Sequence, residues 1–129
     1  MKNTFIIERD FRDIKVKLKD KYGTILSMCK ISISPIGWSI ASWYTNKDYL
    51  NQGYGKQVLK EAIRVLYDAD GMPDQIRYNW DGDNSYVFDW LSRNFSAECI
   101  DEFKRKDDTF TSHIYKLDRD KFLRYCLTD

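Results

Sequence analysis

The chain has 129 residues, of which 43% are hydrophobic and 16% aromatic, enough to bury one core without staples and too apolar for disorder. Its 21 basic and 20 acidic residues leave a formal charge of +1, so net charge gives no footprint for nucleic acid or an anionic membrane. Cys29, Cys99 and Cys126 lie far apart without metal-ligand spacing, and His113 is the only histidine; no metal site is expected, and the thiols read as buried side chains in a reducing compartment.

The first apolar run, Phe5 to Glu8, is too short for a signal peptide and suits a short strand. No stretch approaches membrane-spanning length. The reading is a soluble, cytoplasmic, single domain over residues 1–129.

From Phe11 to Lys19 the pattern alternates: Ile14, Val16 and Leu18 point one way and Lys15, Lys17 and Lys19 the other, the period of a half-buried strand. Asp20 to Thr24 reads as a turn, Ile25 to Ser34 as a second long strand, Pro35-Ile36-Gly37 as a break and Trp38 to Thr45 as a third. The period then changes. Lys56 to Tyr67 places Leu59, Ala62, Ile63 and Leu66 at helical spacing, and Asp70-Gly71-Met72-Pro73 stops the helix. Ile76, Tyr78 and Trp80 alternate as a strand, and Asp81 to Asn84 offers N-caps for a second helix with Val87, Trp90 and Leu91 on its apolar face. Ala97–Arg105 and Thr109–Leu117 flank the turn Lys106-Asp107-Asp108 as a hairpin, and the tail Asp118–Leu127 has weak helical character. Strands, helix, strand, helix and hairpin make an α/β (α+β) single domain with a mixed, mostly antiparallel sheet.

Between the third strand and the first helix stands Asn51-Gln52-Gly53-Tyr54-Gly55-Lys56. Glycines let a backbone turn tightly and approach a ligand closely. A helix start adds unpaired N–H groups and the positive end of a dipole, which together suit a diphosphate. The spacing is neither that of a Walker A loop nor that of a dinucleotide fingerprint. Alone, two glycines at a helix entrance read as well as a plain turn.

The run Tyr44 to Leu59 resembles the coenzyme A motif of the GCN5-related N-acetyltransferases (GNAT), a strand and short turn followed by Gln/Arg-x-x-Gly-x-Gly/Ala opening a helix. Ile76 to Phe95 is similar to the family's later strand and its Asn-x-x-Ala helix. The resemblance covers roughly residues 11–117. It implies a GNAT-like fold with acetyl-CoA as cofactor: Trp43, Tyr44 and Thr45 on the strand beside the pantetheine arm; Leu50, Asn51, Gln52, Gly53, Tyr54, Gly55 and Lys56 around the pyrophosphate; and Asn84 as a further contact. It implies transfer of an acetyl group to an amine of a protein or small molecule by direct attack. Asp48, the nearest acidic residue, is the candidate proton acceptor, and Tyr44 the candidate cleft-lining side chain; a solvated turn and core packing are the plainer readings of these two.

Three features depart from the family pattern. Leu50 replaces the usual Gln or Arg. Leu91 stands where a tyrosine commonly protonates the leaving thiolate, with Tyr86 and Ser92 directed elsewhere. Short turns also replace the two helices that usually follow the first strand, so the N-terminal helical region is reduced. A catalytically inactive member that binds a protein partner is therefore the alternative. Lys56, Lys60 and Arg64 form a basic stripe that suits either a solvated helix face or attraction for phosphates.

Overall fold

The structure, a computed structural model, describes residues 3–80, 85–104 and 111–128. The strands are β1 (Thr4–Arg9), β2 (Asp13–Lys19), β3 (Ile25–Ser34), β4 (Gly37–Thr45), β5 (Ile76–Trp80), β6 (Glu98–Lys104) and β7 (Thr111–Leu117). The helices are α1 (Tyr54–Asp70), α2 (Ser85–Phe95) and α3 (Arg119–Leu127), with one 3-10 turn at Lys47–Tyr49. One sheet runs in the order β1-β2-β3-β4-β5-β7-β6, antiparallel except where β4 pairs with β5. Nothing helical separates β1 from β4, as the sequence implied.

The alternation in β2 decides which face of the sheet is buried. Ile14, Val16 and Leu18 are fully or almost fully buried and stand opposite Ile31, Cys29 and Ser27 of β3. Ile40, Ile76 and Tyr78 extend this face across β4 and β5. Helix α1 lies on it and buries Val58, Leu59, Ala62, Ile63 and Leu66, each worth roughly 1.5–3 kcal/mol for the larger side chains. The tail forms a complete helix rather than a weak one. Asp118 caps α3 by accepting from the Lys121 amide at 3.0 Å, and Phe122, Leu123 and Cys126 enter the core. Phe122 meets Phe95 of α2 edge-on, 5.1 Å between centroids. All three helices therefore share one face of the sheet. Among the described residues no helix crosses the other face.

The parallel pairing of β4 with β5 is short, covering only Trp38–Ile40 against Ile76–Tyr78. The register of β3 on β4 shifts between Lys30 and Ile31, so that Ala41 is the extra residue and bends β4. Beyond Ile40, β4 continues beside β3 to Thr45, but among the described residues no strand pairs with it on its β5 side. The sheet is open there, at the C-terminal end of β4.

Candidate functional site at the opening of the sheet

A groove of about 730 Å³ occupies this opening. Trp43, Tyr44 and Thr45 of β4 line one wall, and Leu50, Asn51 and Gly53 to Lys56 close its end. Tyr86, Val87 and Trp90 of α2 form the other wall. The two walls meet through Trp43 and Trp90, whose rings lie 5.7 Å apart.

The loop before α1 has the backbone that the glycines foretold. Asn51 and Gly53 both sit at positive φ, 64° and 81°, and Gly53 is the N-cap of α1 without any side-chain cap. The first helical bond runs from the Gln57 amide to the Gly53 carbonyl, 3.1 Å. The N–H groups of Gly53, Tyr54, Gly55 and Lys56 thus have no partner within the helix and sit at the positive end of its dipole. Gly55 serves a different purpose. A Cβ there would stand 3.0 Å from Thr45 Oγ1 and 3.6 Å from Trp43 Nε1, so any side chain would have to displace Thr45 or lift the first turn of α1 off β4. Trp43 Nε1 donates to the Gly55 carbonyl at 2.8 Å and ties the two elements together. Below, the buried Ser27 hydroxyl donates to the Tyr44 carbonyl at 2.8 Å and contacts Thr45 Oγ1 at 3.0 Å, which fixes the end of β4.

The structure brings together most of the residues that the sequence pointed to, with four differences. Asp48 is exposed and does not line the groove; its backbone amide closes a turn on Asn46 Oδ1 at 3.0 Å. Gln52 is exposed and also outside the lining. Asn84 lies outside the described residues, as does the Lys106-Asp107-Asp108 turn. The fourth difference concerns α2. Leu91 is fully buried in the core and is not part of the groove lining, although Val87, one turn earlier on the same face of α2, is. Beside Val87, α2 presents Tyr86, 70% exposed, and Trp90 to the groove. Tyr86 was expected to point elsewhere; successive residues on a helix differ by about 100°, and only the packing of Leu91 and Phe95 inward fixes which of them face out. Tyr49 likewise lines the groove without having been singled out.

The basic stripe is partly engaged within the chain. Lys56 Nζ lies over the Trp90 ring at 5.5 Å. Lys60 Nζ lies over Tyr125 at 4.6 Å and donates to the Thr128 carbonyl at 3.2 Å, near the end of α3. Among the described residues that line the groove, Lys56 is the one charged side chain, and none is a carboxylate or an imidazole. The three cysteines are free; Cys29 and Cys126 are buried and Cys99 exposed. Burial pushes the Cys29 thiol far up and the Cys126 thiol to about 12, against the opposing charges of Lys60 and Arg64. Among the described residues no cluster could hold a metal ion, and no helix is long and apolar enough to cross a membrane.

No family model matches the sequence, and no curated protein matches it. Solved structures do match by fold. A Bacillus anthracis chain described as a streptothricin acetyltransferase, in complex with acetyl coenzyme A, is 11% identical with a TM-score of 0.65, over 84% of this chain and 64% of its own. A ribosomal-protein alanine N-acetyltransferase from Escherichia coli is 15% identical, TM-score 0.62, over 84% and 70%. A GNAT family acetyltransferase from Elizabethkingia anophelis with acetyl-CoA bound is 11% identical, TM-score 0.61, over 82% and 76%. The chain thus spans about two thirds to three quarters of the length of these proteins. Identities this low speak for the architecture alone, and that architecture, with its sheet opened after β4 and its glycine loop leading into α1, is the fold of the GCN5-related N-acetyltransferases.

Proposed function

We propose that this chain is an acetyl-CoA-dependent N-acetyltransferase. The observation that carries the reading is the groove itself. A strand edge without a neighbour meets four helix-start amides across a left-handed glycine, with Gly55 leaving no side chain in the gap. Such a site suits a ligand with a diphosphate at one end and an extended amide-bearing arm at the other. Acetyl-CoA has that shape, and its thioester would supply the acetyl group. Tyr54, Gly55 and Lys56 would hold the diphosphate by main-chain N–H groups, and the free edge of β4 at Trp43 to Thr45 would align the arm. An acceptor amine must arrive neutral to attack. The described lining residues offer phenols at Tyr44, Tyr49, Tyr54 and Tyr86 and no carboxylate, and with Asp48 outside the lining an ordered water would take the amine proton.

Thermal melting with and without acetyl-CoA tests the binding step. A ligand at a hundred times its Kd adds about 2.7 kcal/mol of stability, several degrees for a domain of this size. Gly53→Glu should abolish the shift, and absence of any shift at millimolar acetyl-CoA would refute the proposal. Thiol release with a panel of amines then tests turnover. The lack of a carboxylate or imidazole among the described lining residues also favours a second reading, a GNAT-fold module that binds a partner without transfer. Acetyl-CoA binding with no thiol release to any amine supports that second reading.

A further inference from the structure

Among the described residues no helix covers the face of the sheet opposite α1 to α3, and this bare face carries charge. The register places Glu8, Lys15, Lys30 and Ser42 in one row across β1 to β4, and Ile6, Lys17, Met28 and Tyr44 in the next. Lys19 and Asp13 lie on the same face of β2, which alternates strictly. This region holds four lysines against two carboxylates, a net of +2 on a chain whose total is +1. The two carboxylates are already engaged, Glu8 with Lys17 at 2.9 Å and Asp13 with Lys30 at 3.7 Å. Lys15 and Lys19 are the excess.

The bare face and the groove are continuous. Trp43 and Thr45 stand opposite the buried Cys29 and Ser27, on the helix side. Tyr44 stands opposite Met28, on the bare side, is 52% exposed, and still lines the groove. The groove therefore passes along the open edge of β4 and reaches the bare face at Tyr44.

We propose that the bare face of β2–β4 is the docking surface for an acidic polypeptide, which presents the acceptor amine to the groove beside Tyr44. This rests on the transferase reading for the transfer, and on charge alone for the docking. Lys15, Lys17 and Lys19, two residues apart, match a chain of carboxylates laid along β2, and the row Lys17, Met28 and Tyr44 leads from it to the groove. The surface has few aromatic side chains on which bases could stack, which argues against single-stranded nucleic acid. Such a contact weakens with salt, because its charges stay near water.

The test uses the full chain and a fluorescent peptide with one lysine among aspartates and glutamates. The control peptide carries asparagine and glutamine instead, and a single-stranded RNA forms a third arm. Anisotropy at low salt should show the acidic peptide binding about tenfold more tightly than its amide control, with the difference lost at high salt. K15E/K19E should cost the acidic peptide about tenfold, and the neutral K15Q/K19Q, which adds no repulsion beside Glu8, should cost it a smaller factor. Both variants should keep their acetyl-CoA melting shift. Equal binding of the two peptides, unaltered binding by both variants, or tighter binding of RNA would each overturn the proposal. Acidic-peptide binding without any acetyl-CoA shift would leave the docking surface standing and sink the transferase reading instead.

Discussion

Replacing Gly55 with alanine separates the stability of this domain from the geometry of its groove. Alanine is better than glycine by up to about 1 kcal/mol within a helix, somewhat less in a first turn. Against that gain, the new methyl would stand 3.0 Å from Thr45 Oγ1, several tenths of an ångström inside ordinary contact. Two relaxations are available. Thr45 can turn, which breaks its contact with the buried Ser27 hydroxyl and costs about 1 kcal/mol. Alternatively the first turn of α1 can move off β4, which stretches the 2.8 Å bond from Trp43 to the Gly55 carbonyl. Either way gain and loss nearly cancel, so the urea midpoint should change by an amount equivalent to less than about 1 kcal/mol. Binding does not cancel where the first turn of α1 is what moves, because its amides face the groove; since turning Thr45 breaks a buried hydrogen bond, that movement is the expected route. Titration calorimetry should show acetyl-CoA affinity about tenfold weaker, about 1.4 kcal/mol. Unchanged affinity with unchanged stability would refute the claim that this close approach sets the amides in place.

Four further outcomes follow from the same geometry. Gly53→Ala meets no atom within 4 Å but keeps φ at 81°, so it should destabilise by about 1–2 kcal/mol through the backbone alone, read as a lower urea midpoint. Asp48→Asn should leave thiol release within about twofold, since the carboxylate is outside the groove lining. Leu91→Tyr should lower stability by about 2–5 kcal/mol, from overpacking a fully buried position and burying a hydroxyl there, read as a lower urea midpoint. Of the three thiols, Cys99 alone should react with an alkylating reagent in the native protein, by mass spectrometry, and all three in denaturant. The folded-state pKa of Cys126 is raised, to about 12. Its contribution to stability is therefore complete below the ordinary thiol range, about 8.5, and is lost as the pH rises from there toward 12.

The strands and α1 were legible because each carries one uninterrupted period. Ile14, Val16 and Leu18 are two apart and buried together; Leu59, Ala62, Ile63 and Leu66 follow the helical spacing and are buried together. The glycine loop at the end of the groove was legible only in part: two glycines before a helix fit a plain turn, and it was the resemblance of the whole run Tyr44 to Leu59 to a known motif that singled it out, since main-chain amides leave no side-chain signature. The α2 wall was harder. Val87, Trp90 and Leu91 are all apolar, and nothing in their order says which faces the core. Phe95 settles it, by packing on Phe122 of a helix that the tail's sparse apolar residues only hinted at. The opening of the sheet had no local mark at all, since it depends on where β5 stops pairing with β4.

The bare face also bears on stability, because a sheet that loses its covering helices normally exposes apolar surface. Here the cost is small by construction. Alternation in β2 puts Ile14, Val16 and Leu18 on the helix side and leaves lysines on the other, whose stems cover the strands while their ammonium groups stay in water. Ser32, Ser39 and Ser42 carry the same face across β3 and β4, and of the larger side chains in its two central rows only Ile6, Met28 and Tyr44 are not charged. Had the face been built to be covered, the lysine positions would be apolar, each worth roughly 1.5–3 kcal/mol when buried. Antiparallel strands with one solvated face are stable as they stand. One side of the groove is thus walled by helices, while the side reached at Tyr44 is left open by a surface that needs no cover, so that a ligand as large as a polypeptide would approach it without displacing any described part of the fold.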